Sequence, residues 1–128
     1  MHQPTIGFIG AGNMAASLMG GLVARGYAPQ QLCAADPNAA GLQALAQQHG
    51  IHACASNAEV AQRADILVLA VKPQVMQAVL TDLAPAIHSK HLLISIAAGI
   101  SMTSMAQWLG GTPAIVRCMP NTPALVQQ

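Results

Sequence analysis

Short apolar runs alternate with helix-spaced apolar residues along the whole chain, and this alternation limits the fold more than any other feature. The runs are Thr5 to Ile9 (TIGFI), LCAA from Leu32, a weak IHACA from Ile51, ADILVLAV, HLLISIA and PAIVRC. Each is short, β-branched or aliphatic, and apolar at successive positions, which is how strands read when a sheet is covered on both faces. Between them Met14, Leu18 and Leu22, then Leu42, Leu45, Ala46 and His49, then Met76, Val79, Leu80 and Leu83, and finally Met105, Trp108 and Leu109 recur at helical spacing. A strand followed repeatedly by a helix is the βαβ unit, so the expected fold class is α/β. Right-handed crossovers then favour a doubly wound parallel sheet of six strands in the order 3-2-1-4-5-6, with helices on both faces.

Local signals punctuate the pattern. Gly26 and Gly50 stand where the first two helices should stop, because a left-handed residue closes the last turn. Ser56 followed by Glu59 fits a capping box, in which the serine oxygen takes an orphan amide and the glutamate reaches back to the cap amide. Pro73 can open the fourth helix, since the amide it lacks would be unpaired there anyway. Ser101 can cap a fifth helix running to Leu109.

At 128 residues the chain is one domain by length. It is 53% hydrophobic but only 7% charged and 2% aromatic, so its core must be built from small aliphatic side chains that let helices approach a sheet closely. Five basic and four acidic residues leave no electrostatic footprint for a nucleic acid or an anionic membrane. The longest apolar runs fall well short of the roughly 20 residues that span a bilayer, and the opening MHQPTIGFIG lacks a basic signal region. The expectation is a soluble, cytoplasmic protein. Cys33, Cys54 and Cys118 are odd in number and widely spaced, which fits buried free thiols better than disulfides or a metal site. No nucleophile elbow, carboxylate pair or metal-ligand spacing is evident. The five histidines, His2, His49, His52, His88 and His91, fall at strand edges or helix ends and read as surface residues.

The chemistry-bearing segments all follow strands. GAGNMA, Gly10 to Ala15, joins the first strand to the first helix and matches G-x-G-x-x-G/A. Its first glycine makes the tight turn, its second lets backbone approach a pyrophosphate, and its small last residue lets helix pack on strand. Helix amides then face the phosphates. Asp36 ends the second strand at the distance expected for a ribose-binding acid, although it is also a natural turn or cap residue. With no Lys or Arg between Arg25 and Arg63, a carboxylate there leans toward NADH over NADPH, because it repels a 2′-phosphate. Lys72 leaves the fourth strand in AVKP, where it can donate to cofactor or substrate oxygens. The AAG of Ala97 to Gly99 leaves room for a planar ring, and the sixth strand leads into MPNTP. A Rossmann-type dinucleotide-binding domain is the expected architecture.

These residues carry a family resemblance. GFIGAGNMA, AVKPQ, SIAAG and RCMPNTPALV, in this order and spacing, resemble the amino-terminal domain of pyrroline-5-carboxylate reductase, over essentially the whole chain. The resemblance implies NADPH or NADH as cofactor, held by Ile9, Gly10, Ala11, Gly12, Asn13, Met14, Asn57, Ala70, Val71, Lys72, Pro73, Ala97 and Ala98. It places Met119, Pro120, Asn121 and Thr122 near the nicotinamide and the small-molecule substrate, pyrroline-5-carboxylate. Family members often prefer NADPH through Ser, Thr, Asn or Arg residues after the second strand, and Asp36 departs from that pattern. The resemblance also implies a following all-helical carboxyl-terminal domain that forms a homo-oligomer and completes the active site. No acid or base is assigned. A dinucleotide-binding module without turnover, or the corresponding domain of another reductase such as a coenzyme F420-dependent NADP reductase or a hydroxyacid dehydrogenase, are the alternatives.

Overall fold

The alternation resolves into one parallel sheet. The computed structural model describes residues 3–87, 91–96, 102–110 and 115–118. In chain order the elements are β1 (Ile6–Ile9), α1 (Asn13–Ala24), β2 (Leu32–Ala35), α2 (Ala39–His49), β3 (His52–Ala53), α3 (Asn57–Arg63), β4 (Ile66–Leu69), α4 (Pro73–Leu83), β5 (Leu92–Ser95), α5 (Met102–Trp108) and β6 (Ile115–Cys118). All five strand pairings are parallel, and the order is β3-β2-β1-β4-β5-β6, as the sequence leads one to expect. The chain begins in the middle of the sheet, builds outward through β2 to β3, then returns to lay β4 against the other side of β1. The order therefore reverses between β1 and β4. The third strand is the weakest element, two residues long.

Strand alternation divides the core into two layers. Phe8, Leu32, Ala34 and Val68 point to one face, where they pack with Ala15 and Met19 of α1 and Leu42 and Leu45 of α2. Ile9, Cys33, Ala35, Leu67 and Leu69 point to the other, against Val60 of α3, Met76, Leu80 and Leu83 of α4, and Met105 of α5. Among the described residues no helix is long and apolar enough to cross a membrane.

Helix α3 lies so close to β1 that Gly7 has no room for a side chain. A Cβ built there would stand 2.4 Å from Cγ1 of Val60 and 2.9 Å from Cβ of Ala64. Two further anchors hold the same region: the Thr5 amide donates to Oδ2 of Asp65 (2.9 Å), and the Asp65 amide donates to the Thr5 carbonyl (2.8 Å).

The helix ends follow the expected chemistry, with corrections. After α1 the Gly26 amide donates to Val23 and the Tyr27 amide to Leu22, the paired bonds of a Schellman closure. Gly50 ends α2 in the left-handed region. Ser56 caps α3 by accepting from the Glu59 amide (3.1 Å), but the Glu59 side chain reaches the amide of Ala55 (2.9 Å), one residue before the cap. The buried stripe of α1 is Ala15 and Met19, while Met14 and Leu18 are 48% and 40% exposed. Both phases of α1 are apolar, and the phase carrying the small Ala15 is the one that approaches the sheet. His91 is also buried rather than superficial. The amide that would continue α3 past Ala61, that of Asp65, is bonded to Thr5, and Nε2 of His91 takes the Ala61 carbonyl instead (2.7 Å).

Two glycine substitutions should move stability in opposite directions. Gly7→Ala forces α3 off β1 and should cost about 1–3 kcal/mol, as overpacking generally does. Gly21→Ala, on the exposed side of α1 where an added Cβ meets nothing, should gain about 0.5–1 kcal/mol. Urea unfolding of both variants checks this; a Gly7→Ala chain as stable as the parent would mean that α3 is not seated on β1.

Candidate functional site

In a doubly wound sheet the ligand crevice lies outside the carboxyl ends of the strands where the order reverses, here β1 and β4. β1 leaves the sheet into Gly10, Ala11 and Gly12. Gly10 has φ +98°, and a Cβ on it would stand 2.9 Å from the Ala70 carbonyl oxygen and 3.1 Å from Cγ1 of Val71. Only glycine combines that backbone with that contact. The loop is thereby pressed against the end of β4, and Ala70 continues the ladder by donating to the Ile9 carbonyl (2.8 Å).

Gly12 is different. Its φ of −76° is open to any residue, and a Cβ there would meet nothing within 4 Å. What glycine provides at this position is empty space directly before the first turn of α1.

The helix starts fall into two classes. Asn38 caps α2 by accepting from the Gly41 amide (3.1 Å), and Ser56 caps α3. α1 and α4 start at Gly12 and Lys72 without any side-chain cap, and neither carries an acidic residue in its first turn. At α1 the first-turn amides, left without side-chain partners, together with the positive end of the helix dipole make an anion site. At α4 Pro73 has no amide and the Val75 amide donates to the Lys72 carbonyl (3.0 Å), so its start offers the Gln74 amide and the dipole. Both uncapped starts follow the strands that flank the reversal.

Asp36 does more than the sequence indicates. Its Oδ2 accepts from the Ala11 amide (2.7 Å) and its Oδ1 from the Asn38 amide (2.8 Å). The turn role is therefore real, and the carboxylate also ties the glycine loop to the end of β2. That tie crosses 25 residues of sequence and has no local signature.

The structure thus brings together Ile9, Gly10, Ala11, Gly12, Asn13 and Met14 with Asp36 on one side and Ala70, Val71, Lys72 and Pro73 on the other. Met14 is exposed in the first turn of α1. Asn57 opens α3, beyond β2 at the edge of the sheet. Ala97 and Ala98, and Met119, Pro120, Asn121 and Thr122, lie outside the described residues. Among the gathered positions the ionisable side chains are Asp36 and Lys72.

Comparison with known proteins agrees with this geometry. Residues 5–99 match the family described as NADP oxidoreductase, coenzyme F420-dependent. Pyrroline-5-carboxylate reductase of Pseudomonas aeruginosa is 52% identical over 128 residues, 100% of this chain and 47% of that protein. A solved pyrroline-5-carboxylate reductase from Coxiella burnetii superposes with a TM-score of 0.88 at 36% identity, covering 98% of this chain and 47% of the other. The Plasmodium falciparum pyrroline carboxylate reductase, solved with NADP bound, gives 0.80 at 30% identity, covering 100% and 46%. The chain spans about half the length of these relatives. With the fold, the glycine loop and the reversal point in agreement, the chain belongs to the NADP oxidoreductase, coenzyme F420-dependent, family, and its similarity to the pyrroline-5-carboxylate reductases runs from end to end.

Proposed function

We propose that this chain is the nucleotide-binding half of a pyrroline-5-carboxylate reductase, binding NADPH or NADH and, in the complete protein, reducing the cyclic imine pyrroline-5-carboxylate to L-proline, the last step of proline biosynthesis. The observation that carries the reading is the pair of uncapped helix starts, α1 and α4, at the two strands where the sheet order reverses. The match to the wider family stops at residue 99, whereas similarity to the reductases continues over all 128 residues. That extension includes Met119 to Thr122, and it favours this reaction over those of other family members.

In this reading the first-turn amides of α1 hold the pyrophosphate, with Gly12 leaving the space for it. Asp36 fixes the loop through Ala11 and keeps lone pairs for a ribose hydroxyl. Lys72 draws anionic groups to the start of α4. Ala97 and Ala98 leave room for the nicotinamide ring, and Asn121 and Thr122 orient substrate or carboxamide by hydrogen bonds. Bound NAD(P)H supplies the hydride for the imine carbon, so the protein's task is orientation rather than covalent catalysis. The same reading carries with it a cytoplasmic location and a homo-oligomer formed through a helical carboxyl-terminal domain.

Titration of the chain with NADPH and NADH is the direct test, followed by imine reduction assayed with the full-length protein. Failure of both nucleotides to bind at millimolar concentration would overturn the reading. Gly12→Ala should lower affinity by about an order of magnitude by filling the phosphate space, with the fold retained by circular dichroism because an added Cβ meets nothing within 4 Å. Lys72→Ala should weaken binding about threefold to tenfold, with the loss shrinking as salt rises; a salt-independent affinity equal to the parent's would remove Lys72 from the site. Asp36→Ser should raise the NADPH-to-NADH affinity ratio about threefold to tenfold by removing a like charge. The ratio is the readout because loosening the loop affects both nucleotides alike, and an unchanged ratio would confine Asp36 to its loop contacts.

A further inference from the structure

Away from the glycine loop, metal-binding donors meet on the α3 face at the β3 edge of the sheet. His52 and Cys54 are two residues apart on an extended segment, which sends both side chains to one face. α3 covers this face and contributes Glu59. The donor atoms of His52, Cys54 and Glu59 all lie within 4.8 Å of one another. Cys33, the register partner of His52 on β2, is buried in the same layer as Cys54 but stands outside that group.

The spacing suits a tetrahedral ion. Nε2 of His52 is 3.3 Å from Oε2 of Glu59, and bonds of about 2.0 Å to nitrogen and oxygen at the tetrahedral angle put those two atoms about 3.3 Å apart. Glu59 is already oriented, because its Oε1 accepts from the Ala55 amide (2.9 Å); such outer contacts hold metal ligands in place. A cavity of about 200 Å³ lined by Thr5, Gln30, Gln31, Cys33, His52 and Arg63 reaches His52 and provides a way in.

We propose that His52, Cys54 and Glu59 form a binding site for a thiophilic divalent transition metal of the zinc type, with a water completing four-coordination. A thiol, an imidazole and a carboxylate are a donor set such an ion prefers over calcium or magnesium. Binding exchanges the His52–Glu59 contact for two metal bonds, and the Cys54 thiol proton leaves to solvent as the sulfur coordinates. Arg63, whose Nε is 3.8 Å from Oε2 of Glu59, gives up only an exposed ion pair. Because a thiol must lose its proton to coordinate, loading strengthens as pH rises.

The test is titration of the reduced, metal-free chain with Co²⁺. One equivalent should bind with thiolate-to-cobalt charge-transfer absorption and the visible bands of a four-coordinate ion, Zn²⁺ should displace it, and affinity should climb with pH. His52→Ala removes a largely exposed ring and Glu59→Gln keeps an acceptor for the Ala55 amide, so neither should unfold the protein, and each should lower Co²⁺ affinity by about tenfold or more. Cys54→Ser should abolish the charge-transfer band with the far-ultraviolet circular dichroism retained, and should this variant unfold, the other two decide. Absence of any charge-transfer band at millimolar Co²⁺, or parental affinity in His52→Ala and Glu59→Gln, overturns the proposal. The cobalt spectrum is read without nucleotide, so its outcome is distinguishable from that of the nucleotide titration.

Discussion

The central strand permits contacts that no strand with larger residues could accept, and the remaining architecture is arranged around that permission. At Gly7 helix α3 rests on bare backbone. One residue beyond the strand, Gly10 sits against the carbonyl of Ala70, which sets how near the end of β4 can come to the loop. Ala15 then lets α1 lie down on the opposite face. A methyl group at either glycine would push a neighbouring element outward, and because β1 is paired on both sides the displacement would reach the crevice. Packing of this density transmits small volume changes rather than absorbing them.

The difference between the helix starts gives the site its character. α2 and α3 satisfy their first amides with Asn38 and Ser56, and they serve the fold alone. α1 leaves that function to whatever occupies the crevice, and α4 opens on a proline without a capping side chain. A capping side chain contributes typically about 1 kcal/mol, so the chain forgoes that contribution at two places that adjoin the reversal point. Of the four α-helices whose starts lie among the described residues, the two without a side-chain cap are the two at the crevice.

The sheet order, every helix, the cap at Ser56 and the glycine loop were legible because each depends on signals within a few residues. Period, turn chemistry and chain direction are local properties. What escaped was tertiary. The reach of Glu59 to Ala55, the burial of His91 and the bond from Ala11 to Asp36 depend on where a neighbouring strand ends, and a linear motif does not record that. The buried face of α1 was left open for another reason: where a helix is apolar on two faces, periodicity offers both and close packing chooses between them. The cluster of His52, Cys54 and Glu59 was invisible because its donors come from the β3 segment and from α3, and their spacing means something only once the helix is folded over the strand.

The two core layers also differ in their chromophores. The chain has one tryptophan and one tyrosine; Trp108 packs against the layer beneath α3, α4 and α5, and Tyr27 against the layer beneath α1 and α2. Each face of the sheet therefore contains a single intrinsic optical reporter. Indole emission follows the loosening of one layer and phenol emission that of the other, in an unlabelled sample. Whether the faces of this sheet melt as one cooperative unit or part company is thus written into the placement of its only two strongly fluorescent side chains.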